Sequence, residues 1–169
     1  MSLEIATIPL ENGARIGICP LPGRGGDLDA DMTVLLKWKP DAVVSMTELD
    51  EMRRAGAADL PGRLKEAGVD WHHLPIRDYG GPSGGTADAW PALSRALHAV
   101  LDEGGSVLTH CYGGHGRSGM VTLRLMTERG EDPEKALARI RAARPGCVEA
   151  PAQFAWAAAG ARRGASGEW

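Results

Sequence analysis

The run His110-Cys111-Tyr112-Gly113-Gly114-His115-Gly116-Arg117-Ser118 constrains this chain more than any other stretch. Ahead of it, Val107-Leu108-Thr109 reads as a short buried strand. Behind it, Met120 to Met126 reads as a helix. A cysteine, a glycine-rich loop and an arginine therefore sit where a strand hands over to a helix. Such a junction attracts anions, because first-turn N–H groups lack intrahelical partners and carry the positive end of the dipole. A thiol placed there is favoured as thiolate, its nucleophilic form. Gly113, Gly114 and Gly116 let several N–H groups turn toward one centre, a nest for a tetrahedral anion such as phosphate. Five residues separate Cys111 from Arg117, so both ends of the loop can face one ligand. Arg117 can grip two oxygens bidentately, and Ser118 can donate to the sulfur when it departs.

Cys-x5-Arg-Ser after a strand, with His before the Cys, resembles the signature of the cysteine-based protein tyrosine and dual-specificity phosphatases. Asp78, in Leu74-Pro75-Ile76-Arg77-Asp78-Tyr79-Gly80-Gly81-Pro82, stands where that family carries its general acid. Arg144-Pro145-Gly146-Cys147-Val148-Glu149-Ala150-Pro151-Ala152-Gln153 resembles the family's segment after the penultimate helix. The Cys19-Pro20-Leu21-Pro22-Gly23 turn, the Pro75–Gly81 loop and His-Cys-Tyr-Gly-Gly are most similar to the kinase-associated phosphatase branch. The likeness spans residues 15–160.

The resemblance implies a division of labour. Cys111 attacks phosphorus and forms a cysteinyl-phosphate. Arg117 and the N–H groups of Tyr112, Gly113, Gly114, His115 and Gly116 hold the phosphoryl oxygens. Asp78 protonates the leaving oxygen and then activates water. His110 bonds loop backbone and steadies the thiolate, and Ser118 assists its departure. Gln153 positions the water; Glu149 is its rival, standing where tyrosine-specific members carry glutamine. No metal or other cofactor is implied. No segment resembles the phosphotyrosine-recognition loop of tyrosine-specific members, so a shallower cleft admitting phosphoserine, phosphothreonine and phosphotyrosine is expected. Gly114 and His115 stand where the phosphoinositide branch places lysines. A phosphoinositide or other non-protein ester is the alternative substrate. A phospho-binding module without turnover is the alternative of a different class.

Competing readings of these residues are weaker. Residues 114–119 also spell Gly-x-Gly-x-x-Gly, but the second strand and acidic residue of a dinucleotide site do not follow. Rhodanese-like sulfur transfer and arsenate reduction use anion-cradling cysteine loops too; Asp78 and the Arg-Ser ending favour phosphatase. Asp78 has a bland reading as a turn residue. Asp88, the other candidate acid, reads as the cap of a helix around Trp90–Leu101. Cys19 and Cys147 read as small buried hydrophobes. His72 and His73 are adjacent on a strand and point to opposite faces, against a metal site.

The remaining chain suits one phosphatase domain over residues 1–162 with a frayed tail at 163–169. A net charge of −3 offers no global basic field for nucleic acid. Three cysteines argue against a disulfide scaffold and fit a reducing cytoplasm. No signal peptide or membrane span is read, and a monomer acting on a phosphorylated protein or peptide is expected. Hairpin strands over residues 3–8 and 14–19 meet at Asn12-Gly13. Asp27, Thr47, Asp59 and Asp132 are candidate helix caps, strands fall at 42–46, 69–76 and 106–110, and helices at 118–129 and 150–162. Strand–helix alternation predicts an α/β fold with a central mixed, mostly parallel sheet flanked by helices.

Overall fold

Asn12 and Gly13 both take positive φ, 65° and 78°, within one 3-10 turn, Glu11–Gly13. Asparagine and glycine tolerate that left-handed conformation best. The turn reverses the chain between β1 (Ala6–Pro9) and β2 (Arg15–Cys19), which pair antiparallel. The computed structural model describes residues 2–162; the expected tail at 163–169 lies outside the described residues. Asp27 accepts from the Ala30 N–H at 2.9 Å and starts α1 (Leu28–Trp38). Lys39, left-handed at φ 58°, stops it before Pro40. There follow β3 (Ala42–Ser45), α2 (Leu49–Arg54), α3 (Leu60–Glu66), β4 (Asp70–His73), α4 (Gly84–Asp102), β5 (Ser106–His110), α5 (Gly116–Glu128), α6 (Pro133–Ala143) and α7 (Pro151–Ala158).

The sheet runs β1-β2-β5-β3-β4, and every pairing except the first is parallel. This is the α/β fold with a mixed, mostly parallel sheet that strand–helix alternation predicts. Successive side chains enter opposite cores. Val44 and Val107 pack under α4–α7, while Val43 and Leu108 pack against α1–α3. Because β2 to β5 are parallel, their carboxyl ends share one edge. The loops beginning at Pro20, Met46, Leu74 and Cys111 all leave from it, where such sheets place ligands.

Several local expectations shift. Thr47 does not cap α2; Glu48 does, its N–H donating to Glu51 Oε2 at 2.8 Å, and Thr47 Oγ1 is buried without a partner. Asp59 sits at the start of α3 but makes no side-chain cap bond. Helix α4 starts at Gly84, anchored where the Thr86 hydroxyl donates to the Pro75 carbonyl at 3.0 Å. Asp88 is therefore exposed within the helix and caps nothing. Helix α5 begins at Gly116 rather than 118, because the His115 carbonyl already accepts from the Gly119 N–H at 3.1 Å.

Every residue of α5 is buried, Glu128 included. Glu128 accepts from Trp90 Nε1 at 3.0 Å, Ser94 Oγ at 2.6 Å, His98 Nε2 at 3.0 Å and Arg124 Nε at 2.7 Å. Burial by itself would raise its pKa; these donors, His98 and Arg124 foremost, outweigh burial and hold the carboxyl down to about 2.

Candidate active site

Cys111 is the first residue beyond β5, and its sulfur is almost fully buried. The Gly114 N–H donates to Sγ at 3.2 Å, and Ser118 Oγ lies 3.2 Å from it. Gly114 has φ 74°, and a Cβ there would stand 2.6 Å from the Cys19 carbonyl carbon, so only glycine closes the loop onto the end of β2. At Gly116 a Cβ would meet Glu149 Oε1 at 2.5 Å.

The loop's carbonyls are held from outside. Arg144 donates through Nε to the Gly114 oxygen and through Nη2 to the Gly113 oxygen at 2.9 Å. The Tyr112 oxygen accepts from the Leu21 N–H at 3.1 Å and from Arg24 Nη1 at 3.4 Å. Carbonyls fixed outward leave the peptide N–H groups to the loop interior, as an anion nest requires. His115 is half-buried beside this lip. Burial, then the Arg144 charge, lowers its pKa.

Arg117, 1% exposed, reaches from α5 across the carboxyl edge of the sheet. Nη1 and Nη2 donate to Glu51 Oε2 and Oε1 at 2.7 and 2.8 Å, and Nη1 also donates to the Ile76 carbonyl at 3.0 Å. Burial alone would disfavour its charge; Glu51 outweighs this and raises its pKa, while Arg117 lowers that of Glu51 against burial. Nε is buried without a partner. One guanidinium edge, Nε with the second proton of Nη2, therefore stays available for two oxygens of an anion.

His110 is fully buried and closes a chain of bonds. Trp71 Nε1 donates to Ser45 Oγ at 2.9 Å, the Ser45 hydroxyl donates to His110 Nε2, and Nδ1 donates to the Cys111 carbonyl at 3.2 Å. That network assigns the proton to Nδ1. Burial pushes the ring's pKa down to about 4, so His110 acts at neutral pH as an uncharged strut.

Asp78 follows β4 on the loop beside Arg117. Its side chain is half exposed, with Oδ1 3.4 Å from Arg117 Nη2 and accepting from the Tyr79 N–H at 3.0 Å. Tyr79 adopts φ 59°, a left-handed conformation costly for a bulky residue. Gln153 is fully buried. Its Oε1 accepts from the Glu149 and Ala150 N–H groups at 3.0 and 3.2 Å, and its Nε2 donates to the Gly80 carbonyl at 3.2 Å. One amide proton of Gln153 is left over. Asp78, Glu51, Arg54 and Tyr112 line a cleft of about 310 Å³. A larger cavity of about 420 Å³ lies behind the loop, between Pro20, Arg24 and Arg144.

The structure thus brings Cys111, Arg117, Ser118, His110 and residues 112–116 together, with Asp78 at the mouth and Gln153 tethering its loop. Burial raises the thiol pKa of both Cys19 and Cys147, the latter to about 12. Among the described residues no group of three or more His, Cys, Asp or Glu is placed to hold a metal ion, and no helix is long and apolar enough to cross a membrane. Glu51, Arg24 and Ser45 have no role in the sequence reading, and Arg144 enters it only within a matched segment. The one available signal was physical: a buried arginine needs a carboxylate partner.

Comparison with known proteins agrees with this geometry. The profile of the family described as "Tc-R-P: Polymorphic toxin system, DSP-PTPase phosphatase" matches residues 23–131. Cyclin-dependent kinase inhibitor 3 of Rattus norvegicus is 30% identical over 166 residues, covering 90% of this chain and 76% of the relative. A crystal structure of kinase associated phosphatase, its catalytic-site cysteine replaced by serine, superposes with a TM-score of 0.83 at 22% identity over 98% of both chains. A mutant form of Tk-PTP gives a TM-score of 0.71 at 26% identity, over 94% of this chain and 95% of that one. With the profile covering well over half of its length, the chain belongs to the DSP-PTPase phosphatases, cysteine-dependent enzymes that hydrolyse phosphate monoesters.

Proposed function

We propose that the chain dephosphorylates proteins at phosphotyrosine, and at phosphoserine and phosphothreonine, through a cysteinyl-phosphate. One observation carries the reading. At the mouth of one cleft, Asp78 stands 3.4 Å from the arginine whose free edge belongs to the same loop as the Cys111 sulfur. Nucleophile and proton donor thus follow the parallel strands β5 and β4, and the clamp comes from the first turn of α5.

The Cys111 thiolate attacks phosphorus as the ester oxygen leaves. The S–P bond forms, the P–O bond breaks, and Asp78 delivers its proton to the departing alcohol. Arg117 Nε and Nη2 and the N–H groups of residues 112–116 hold the equatorial oxygens, whose charge dominates the barrier. Asp78, now a carboxylate, takes a proton from water attacking the phosphocysteine. Inorganic phosphate departs, and the thiolate is received by Ser118 Oγ and the Gly114 N–H. Gln153 can only donate to that water, since its oxygen is committed to two backbone N–H groups. His110 holds the Cys111 carbonyl. The free thiols of Cys19, Cys111 and Cys147 support a reducing cytoplasmic setting.

The test is turnover of a phosphotyrosine peptide, a phosphothreonine peptide and a phosphoinositide side by side. Preferred turnover of the peptides is expected. Turnover confined to the lipid would replace the protein substrate, and binding without turnover would replace the enzyme by a phospho-binding module.

A further inference from the structure

The chain has two tyrosines, and each directly follows a proposed catalytic residue: Tyr79 after Asp78, Tyr112 after Cys111. Both are exposed, in a protein that buries most of its large apolar side chains. Tyr112, at 40% exposure, stands on the wall of the cleft that Asp78 also lines. Its position is held at three points. Arg24 lies over the ring with Cζ 4.7 Å from the centroid, Arg24 Nη1 donates to the Tyr112 carbonyl, and the Leu21 N–H donates to that same oxygen. Exposed aromatic side chains usually sample several rotamers; this one is propped from behind by a cation. A leaving group protonated by Asp78 lies in the cleft that Asp78 and Tyr112 line together.

Resting on the phosphatase reading above, we propose that Tyr112, propped by Arg24, is a stacking wall for the leaving group. It makes this enzyme favour phosphate esters of phenols, phosphotyrosine among them, over esters of alkyl alcohols. Aromatic pairs gain from offset or edge-to-face contact in a way an alkyl chain does not. The wall stands on the catalytic loop itself, so it needs no separate recognition segment. Because it adds to phenolic esters without narrowing the cleft, alkyl esters remain substrates.

The test uses one peptide sequence carrying phosphotyrosine or phosphothreonine, with kcat/KM measured for the full chain and three variants. Taking each variant relative to the unsubstituted protein on the same peptide cancels the difference in leaving-group acidity. Tyr112→Ala should lose roughly three- to tenfold more on phosphotyrosine than on phosphothreonine, the range expected of one aromatic contact. Tyr112→Phe, which keeps the ring, should keep the parent's preference for phosphotyrosine over phosphothreonine, and Arg24→Gln should show part of the selective loss. Weaker tungstate inhibition together with equal losses on both peptides would trace the effect to the loop backbone rather than to the ring. Equal losses on both peptides, or no loss on phosphotyrosine, would overturn the stacking wall. If the unsubstituted protein turns over neither peptide, the phosphoprotein reading itself falls, which is a different result.

Discussion

Glu51 and Arg117 form a fork-to-fork pair, 2.7 and 2.8 Å across its two bonds, between residues 66 positions apart. Glu51 Oε2 also receives the Glu48 N–H that starts α2. One carboxylate therefore orders a helix start and aims the arginine proposed to clamp phosphate. Glu51→Ala should lower kcat by about 10²-fold, the scale set by small misplacements of catalytic groups. Steady-state kinetics check it; a rate within twofold of the parent would mean that Arg117 is aimed by its other contacts alone.

Arg117→Lys should lose most of the activity although it keeps the charge. An ammonium cannot bond both Glu51 oxygens and still present two parallel donors to phosphate. Near-parental kcat/KM on a phosphopeptide would refute the bidentate role.

The pair also shows what a sequence can reveal. The loop from His110 to Ser118, the Asp27 and Asp132 caps and the hairpin at Asn12-Gly13 were legible because their determinants are local. Glu51, Arg144 and the Ser45–Trp71 support of His110 were not. Glu51 and the Ser45–Trp71 pair meet the loop and Arg117 only because β5, β3 and β4 lie side by side, and Arg144 reaches the loop from the end of α6. Helix boundaries moved where the backbone found an unanticipated anchor, as at Thr86 to Pro75.

Cys111→Ser should abolish turnover while tungstate or vanadate still binds, because the nest and Arg117 are unchanged. The parent enzyme should keep full activity in excess EDTA. Isothermal titration with tungstate and a phosphopeptide assay read the two halves; activity above about 1% in the serine variant would exclude the covalent route.

Asp78→Asn should cost roughly 10²–10⁴-fold on an ester with a poor leaving group. The loss should shrink when the leaving phenol is acidic enough to depart without a proton. Asp88→Asn, on the exposed face of α4, should change neither. The reverse pattern in a leaving-group series would transfer the acid role to Asp88.

Glu128→Gln tests the core beneath α5. The folded-state pKa of Glu128, about 2, lies below its ordinary value of 4.5. Its ionised form thus contributes stability that is complete above pH 4.5 and is lost as the pH falls toward 2. The variant should be less stable by about 3 kcal/mol at pH 7, since Arg124 loses a buried counter-charge. It should also show a shallower fall in Tm through the acid range. Parallel Tm-against-pH curves for the two proteins would refute the linkage.

The tether from Gln153 to Gly80 has a consequence for shortened versions of this protein. The family profile ends at residue 131, yet the amide that fixes the Asp78 loop comes from the start of α7. A chain cut between Ala150 and Pro151 keeps the residues of the sheet, the cysteine loop and Glu51. It loses Gln153, and with it the strap across Gly80. It also loses the Trp156 and Ala157 carbonyls that accept from Arg124 and Thr127 of α5. The span of the profile therefore holds the reacting groups without the packing that keeps them in place, and the smallest working unit extends through α7.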